Sequence, residues 1–429
     1  TPMIRLPWRP RLCKLSIGLT RMQQSVHMNS TVLSPGNHPD SQKLRAEHAI
    51  IGAGIIGLAT AFELVEAGVS PQEIVVVDPQ PISGATFVAG GMLAPVAEVQ
   101  YRQEPLYPLM VASGELFPHL LARLGKKTTA PTGHRSESTL VVGADRADGV
   151  HIRELLALQQ RHGMDAQALT LRQARRLEQG LSPQLAAAVE IPGDHQINPR
   201  MFSACLLDYL QQAGVRFVAT AATRINGHDV QLTDGRVATG DTVYLCNGLA
   251  AKDVDGWFEG VNPLALRPVY GDMLRLRVPD ALVHTSGEPL TRVVRAFVED
   301  RPVYVIPRTD GTIAVGATSR EDNRKGPSVD GVHTLLRDAI RVVPGLEDCE
   351  FIEAIVGARP GTPDDLPYLG KVRDGLVIST GYFRHGILLS AFGAKVGAQL
   401  GLGTYPANGL EIDISACDPL RHARYSPPR

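Results

Sequence analysis

Apolar residues run unbroken through HAII from His48 and again through IVVV from Ile74, where Asp78 ends the run. Short continuous apolar runs of this kind predict strands buried on both faces. Between them, IIGLATAFELVEAG carries apolar residues at helical spacing and stops at Gly68, which predicts a helix. Strand, helix and strand in that order imply a parallel sheet. Leu106, Leu109, Met110, Leu116, Leu120 and Leu121 form a stripe that predicts a helix over 104–124, and further helices are predicted near 151–163 and 171–178. Asn198 is placed to cap a helix with Pro199 in its first turn. VRFVAT and TVYLCNG read as strands. From 262 to 318 the pattern changes to strand after strand (DMLRLRV, RVVRAFVE, PVYVIPR, TIAVGAT), broken by turns such as Thr309-Asp310-Gly311, which predicts an antiparallel sheet. A helix is predicted near 331–343. The stretch 357–370, GARPGTPDDLPYLG, is rich in Pro and Gly and predicts a rigid loop. The strand GLVIST, a glycine-bounded turn and the helix GILLSAFGAKVGAQL follow.

With 429 residues the chain exceeds one ordinary core, so two domains are expected. A hydrophobic content of 44% and charged content of 20% fit a globular chain, and a net charge of −1 gives no general attraction to nucleic acid. No apolar run approaches the length of a membrane span. Cys13, Cys205, Cys246, Cys349 and Cys417 are scattered, without a CxxC pair, which argues against a disulfide framework and a zinc site and fits a cytoplasmic setting. The histidines show no HExxH spacing, so no catalytic metal is expected. Arg5, Arg9, Arg11, Lys14 and Arg21 all precede the first acid, Asp40, a bias that transit peptides share. We read residues 1–45 instead as a disordered or wrongly assigned extension.

The chemistry starts at Gly52, Gly54 and Gly57 in GAGIIG, between the first strand and its helix. That context suits a dinucleotide fingerprint, in which one glycine makes the tight turn, one lets backbone approach a pyrophosphate and one lets helix and strand pack. Asp78 ends the second strand, where an acid can bind a ribose hydroxyl. The fingerprint alone does not separate NAD from FAD. Two further segments favour the longer FAD: SGATFVAGGMLAP, with Ser83, Thr86, Gly90, Gly91 and Met92, and GYFRHGILL, which repeats the strand, glycine turn and helix near the other end of the chain. Arg359 lies just after the apolar run IEAIV and needs an anionic partner. Asp364 and Asp365 are close enough in sequence to supply one structurally.

The order of IIGAGIIGLATAFEL, AGGMLAP, PGDHQINPR, RPVYGDMLRLR, RPVYVIPRTDGTIAVGAT, GARPGTPDDLPYLG and GYFRHGILL resembles the FAD-dependent amine and amino-acid oxidase superfamily over residues 48–400. Within it the glycine oxidases of the thiamine pathway are the nearest group. The resemblance implies an α/β fold, with a Rossmann-like FAD-binding domain (46–94, 193–253 and 347–405) and a second α+β substrate domain (95–192 and 254–346) built on an antiparallel sheet, followed by a C-terminal tail, 406–429. It implies noncovalent FAD held by Gly52, Ala53, Gly54, Ile55, Ile56, Gly57, Asp78, Ser83, Thr86, Gly90, Gly91, Met92, Asn247, Gly248, Gly386, Ile387 and Leu388. It gives Arg359 the substrate carboxylate as its anion, with the Tyr304 hydroxyl beside it and Arg384 near the entrance. His385 stands where the family usually has Asn, and Asp272 where Gln is common. The implied activity is oxidative deamination of glycine, with sarcosine and small D-amino acids as further substrates and dioxygen as acceptor, supplying thiazole synthesis. A D-amino-acid dehydrogenase or a sarcosine oxidase is the alternative. Whether the chain forms a homo-oligomer is left open, and no acid–base residue stands out in these motifs.

Overall fold

The computed structural model describes residues 43–281, 290–406 and 411–423. The expectation for residues 1–45 therefore lies outside the described residues, except at its end. There the first strand, Lys43–Ile51, already begins at Lys43 and pairs with Val237.

The chain forms two large sheets. The first is eight-stranded, with path order Tyr368–Arg373, Leu376–Thr380, Val237–Leu245, Lys43–Ile51, Ile74–Val77 and Arg216–Val218. Its central strands are parallel, and toward their carboxyl ends (His48–Ile51, Ile74–Val77, Thr242–Leu245 and Leu376–Ile378) they are buried, as the apolar runs there require. A hairpin, Ala222–Asn226 and Asp229–Leu232, extends it antiparallel to Val237–Leu245. Register decides what this sheet presents. Ile51 lies beside both Val77 and Leu245, and Leu245 lies beside Ile378. Gly52, Asp78 and Cys246-Asn247, which follow three of these strands, thus emerge along one carboxyl edge, level with Ser379 in the fourth. Ligands bind at that edge in open α/β sheets. The helices Ile55–Glu66 and Ser390–Leu402 pack on each other over this sheet, and Gly397 leaves room for Thr60, whose Oγ1 lies 4.0 Å from where a Cβ at 397 would be.

The second sheet has the order Glu350–Gly361, Arg267–Arg277, Thr312–Gly316, Arg301–Pro307, Val293–Val298, Thr139–Gly143, Ala187–Ile191 and Gln167–Leu169. It is antiparallel except for one pair: Val293–Val298 runs parallel to Thr139–Gly143. Strand alternation sorts its two faces. Val294, Ala296, Val298, Val303 and Val305 pack against Leu335, Ala339 and Val342 of the helix Val329–Val342. Arg295, Phe297 and Tyr304 therefore point the other way, toward the first sheet's carboxyl edge.

Two local expectations are corrected. The segment GARPG is not loop: it completes the strand Glu350–Gly361, with Arg359 opposite Val269 and Pro360 opposite Pro268. This strand is the sheet's edge, where proline's missing N–H breaks no inner ladder. The last helix begins at Ser390 rather than Gly386, and residues 383–389 form a chain of turns in which Leu389 N donates to His385 O at 2.7 Å. No helix among the described residues is long and apolar enough to cross a membrane.

Candidate active site

Between the carboxyl edge of the first sheet and the polar face of the second lies a cavity of about 890 Å³. Gly54, Ile55, Ile56, Asp78, Ser83, Thr86, Gly90, Gly91, Met92, Asn247, Gly248, Tyr304, Arg359, Arg384, Gly386, Ile387 and Leu388 all line it. The motifs from both ends of the chain meet in one cleft. Gly52, Ala53 and Gly57 do not reach it. They build the wall behind it.

The glycine turn shows why. Gly52 has φ +104°, and a Cβ there would stand 2.6 Å from Asn247 Cα. A Cβ at Gly57 would collide with the Gly52 carbonyl oxygen, so this glycine lets the helix close on the turn. Only Gly54 faces the cleft, with Thr86 Oγ1 3.2 Å from where its Cβ would be. The turn is tied from outside: Ala53 N donates to Asp78 Oδ2 at 2.7 Å and Ile55 N to Thr86 Oγ1 at 3.1 Å. Asp78 thus braces the glycine turn as well as lining the cavity, and its Oδ1 accepts from Gln80 N at 2.7 Å. Among the described residues, the amides of Gly54, Gly386, Ile387 and Leu388 make no hydrogen bond. Asn247 Oδ1 is likewise buried without a partner. Free amide donors at a helix N-terminus, a glycine wall and an orphaned carbonyl fit a long nucleotide with a pyrophosphate and a polar ring.

The other end of the cavity is cationic. Arg359 Nη1 donates to Thr318 O at 3.3 Å, and no carboxylate pairs with Arg359 among the described residues. Asp364 and Asp365 are engaged elsewhere. Asp364 accepts from Arg421 Nε at 2.8 Å and Nη2 at 2.9 Å, and Asp365 from Gln103 Nε2 at 2.9 Å. Burial pulls the Arg359 guanidinium below its ordinary pKa, and Tyr304 and Asp272 beside it pull it back up. Burial pushes the Tyr304 hydroxyl up, against the pull of Arg359, Arg308 and Arg295. Arg384 is exposed, lies 5.1 Å from the Phe383 ring centroid and also lines the cavity.

Several residues here were not singled out from sequence. Gly271 and Gly316 make room for the two polar side chains. A Cβ at Gly271 would run into the Arg359 guanidinium, and one at Gly316 would stand 2.5 Å from the Tyr304 hydroxyl. Glycine inside a strand signals such an approach, but the sequence does not say which side chain approaches. Arg308, in the VYVIPR run, is fully buried. It donates to Gln196 Oε1 at 2.8 Å, to Ile197 O at 2.7 Å and to Gly90 O, tying the Gly90-Gly91 loop to the second sheet. Burial and the charge of Arg275 hold it down to about 9. Arg295 also lines the cavity, ion-paired with Glu98. His385 is buried against the cavity, and burial, with the charges of Arg384 and Arg295, pushes it down to about 3, so its imidazole is neutral at ordinary pH.

Comparison with known proteins places the chain. Residues 47–400 match the family described as FAD dependent oxidoreductase, DAO. A glycine oxidase of Geobacillus kaustophilus is 29% identical over 372 residues, covering 83% of this chain and 93% of that protein. A bifunctional ThiO/ThiG protein of Synechocystis is 31% identical over 358 residues, covering 82% of this chain and 51% of that longer protein. The crystal structure of the Geobacillus kaustophilus glycine oxidase superposes with a TM-score of 0.77 at 28% identity, over 88% of this chain and 99% of that one.

Proposed function

The chain belongs to the DAO family of FAD-dependent oxidoreductases, and we propose that within it the protein is an amino-acid oxidase acting on glycine. The observation that carries this reading is Arg359. A half-buried guanidinium with no carboxylate partner among the described residues lines the same cavity as the glycine turn and stands beside a tyrosine hydroxyl. An unpaired charge in such a place is costly unless a ligand supplies the counter-charge. An α-amino acid does so with its carboxylate, which Arg359 binds in a fork and Tyr304 supplements. The glycine oxidases among the similar proteins support glycine as the amino acid.

In this reading Gly54, Ile55, Ile56, Asp78, Ser83, Thr86, Gly90, Gly91, Met92, Asn247 and Gly248 hold the nucleotide, and Gly386, Ile387 and Leu388 present their amides to the flavin ring. Gly52, Ala53 and Gly57 shape the turn that makes this possible. Bound FAD supplies a two-electron acceptor that dioxygen regenerates with release of hydrogen peroxide. The protein's own contribution is position: Arg359 and Tyr304 fix the carboxylate, which sets the direction of the Cα–H bond. Neutral His385 adds no charge to this wall, and Arg384 lies at the cationic end. Oxidation leaves an imine that hydrolyses to glyoxylate and ammonia or is taken up by thiazole synthesis. Purified protein with flavin absorbance bands, bleached anaerobically by glycine and forming peroxide in air, is the expected result. A flavin bleached by glycine without peroxide in air points to a dehydrogenase instead. A flavin that glycine, sarcosine and small D-amino acids all leave oxidised refutes the reading.

A further inference from the structure

Arg359 accounts for one charge of an amino acid; the other is its ammonium. Oxidation at Cα needs the amine neutral, so that its lone pair is free as the Cα–H bond breaks. Asp78, Glu98 and Asp300 are the carboxylates that line the cavity among the described residues. Asp78 sits at the nucleotide end, committed to Ala53 N and Gln80 N. Asp300 lies in the turn beyond Val298, against His151 at 2.9 Å. That leaves Glu98. Its ion-pair partner, Arg295, is directly opposite Tyr304 in the antiparallel pair Val293–Val298 with Arg301–Pro307. Side chains directly opposite in such a pair have Cβ atoms roughly 5 Å apart. Of the three carboxylates that line the cavity, Glu98 is thus the one tied by register to the Arg359–Tyr304 anchor; Asp272, beside Arg359, lies off the cavity wall and is ion-paired with Arg320.

The loop that carries it is held still. Val96 N and Ala97 N donate to the fully buried Asp194 carboxylate at 3.1 and 2.6 Å, and Gln159 Nε2 donates to Val96 O at 3.0 Å. Arg295 is buried, and its Nε has no hydrogen-bond partner, so the pair is not locked into a complete network. We propose that Glu98, held by Arg295 and by the Asp194-braced loop, receives the substrate ammonium and takes one proton from it. One N–H bond breaks and one O–H bond forms on Glu98. No electrons move, and ammonium and carboxylate become amine and acid. Arg384 on the same wall raises the cost of a second buried cation and favours that direction, while Arg295, which loses its ion-pair partner when Glu98 is protonated, opposes it. The inference rests on the amino-acid reading above.

The test compares wild type with Glu98→Gln, and with the double variant Glu98→Gln/Arg295→Gln, in which no buried guanidinium is left unpaired. Anaerobic flavin reduction by glycine is followed against pH, and the affinity for glycolate, which has the carboxylate but no ammonium, is read from its perturbation of the flavin spectrum. Glu98→Asp is the conservative control. Expected are a second-order rate of flavin reduction by glycine at neutral pH at least ~10-fold below wild type in both Gln variants, recovery as pH approaches the ammonium pKa of the free amino acid, partial rescue by Asp, and unchanged glycolate affinity. Parallel pH profiles for wild type and variants overturn the inference while leaving the amino-acid reading in place. Equal losses for glycine and glycolate also overturn it, because Glu98 then acts only through the carboxylate anchor. A wild-type flavin that no amino acid bleaches overturns both.

Discussion

The least obvious demand of this site is on Gly271, so Gly271→Ala tests how tightly Arg359 is placed. Gly271 has no left-handed φ, and its backbone accepts alanine without strain. The obstacle is the guanidinium: a Cβ at 271 would stand 2.7 Å from Arg359 Cζ and 2.5 Å from Nη2. Ordinary contacts are ~3.5–4.0 Å, so the guanidinium must retreat by roughly 1 Å. It can, because it faces the cavity, and the fold therefore survives. The displacement costs about 1–3 kcal/mol as overpacking, offset in part by the ~0.4–1 kcal/mol that losing a glycine returns through the unfolded chain. Function is less forgiving, since a 1 Å misplacement of a positioning group costs up to ~10²-fold. We expect kcat/KM for glycine to fall by about 10–100-fold, which is ~1.4–2.7 kcal/mol, with FAD content and melting temperature near wild type. Steady-state kinetics, with glycolate affinity from the flavin spectrum, measure it. Wild-type kinetics in Gly271→Ala would refute the placement of Arg359 as the anchor.

Gly54→Val should yield colourless protein, because a branched side chain at the one turn glycine that faces the cavity fills the pyrophosphate's space; fully flavinylated variant protein would count against the assignment. Arg308→Met should lower stability by at least ~2 kcal/mol by leaving Gln196 Oε1, Ile197 O and Gly90 O without their buried donor, and should loosen FAD; denaturant unfolding and flavin titration read the two effects. Burial pushes Asp194 up to about 7, against the amides of Ala97 and Val96, from an unfolded value of 3.8. Between those values the folded chain holds a proton that the unfolded chain has lost, so Asp194's contribution to stability falls as pH rises from 3.8 to about 7 and is flat above. Melting curves of wild type and Asp194→Asn should therefore diverge in slope across that window, and parallel curves would refute it.

Much of the nucleotide half is legible in the sequence because its strands are buried on both faces. HAII and IVVV have no polar alternation, and the glycine turn and Asp78 follow them at fixed offsets. The second sheet is less legible because its meaning lies across strands. The sequence around Arg359 reads as loop because Pro360 and Gly361 punctuate it, yet these residues finish an edge strand. Gly271 and Gly316 matter only through the side chains that lie over them. The parallel pairing of Thr139–Gly143 with Val293–Val298 joins segments that no local pattern connects. Glu98 and Arg295 become a pair only once the loop braced by Asp194 meets that sheet. The region read as a tail is also committed: Arg421 grips Asp364 and His422 meets the Tyr368 hydroxyl at 2.7 Å. This removes the carboxylate that sequence proximity offered to Arg359.

Arg359→Ala is the most direct test of the central claim, measured as the concentration of glycine that bleaches the bound flavin anaerobically. Removing a charge-assisted, partly desolvated contact costs roughly 2–5 kcal/mol, or about 30-fold to several thousand-fold in that concentration. Tyr304→Phe should cost on the order of 1 kcal/mol. The account predicts a yellow Arg359→Ala protein that retains FAD and needs at least ~30-fold more glycine, while amines lacking a carboxylate lose little further. A variant bleached by glycine at the wild-type concentration would contradict it and leave Arg359 a structural residue.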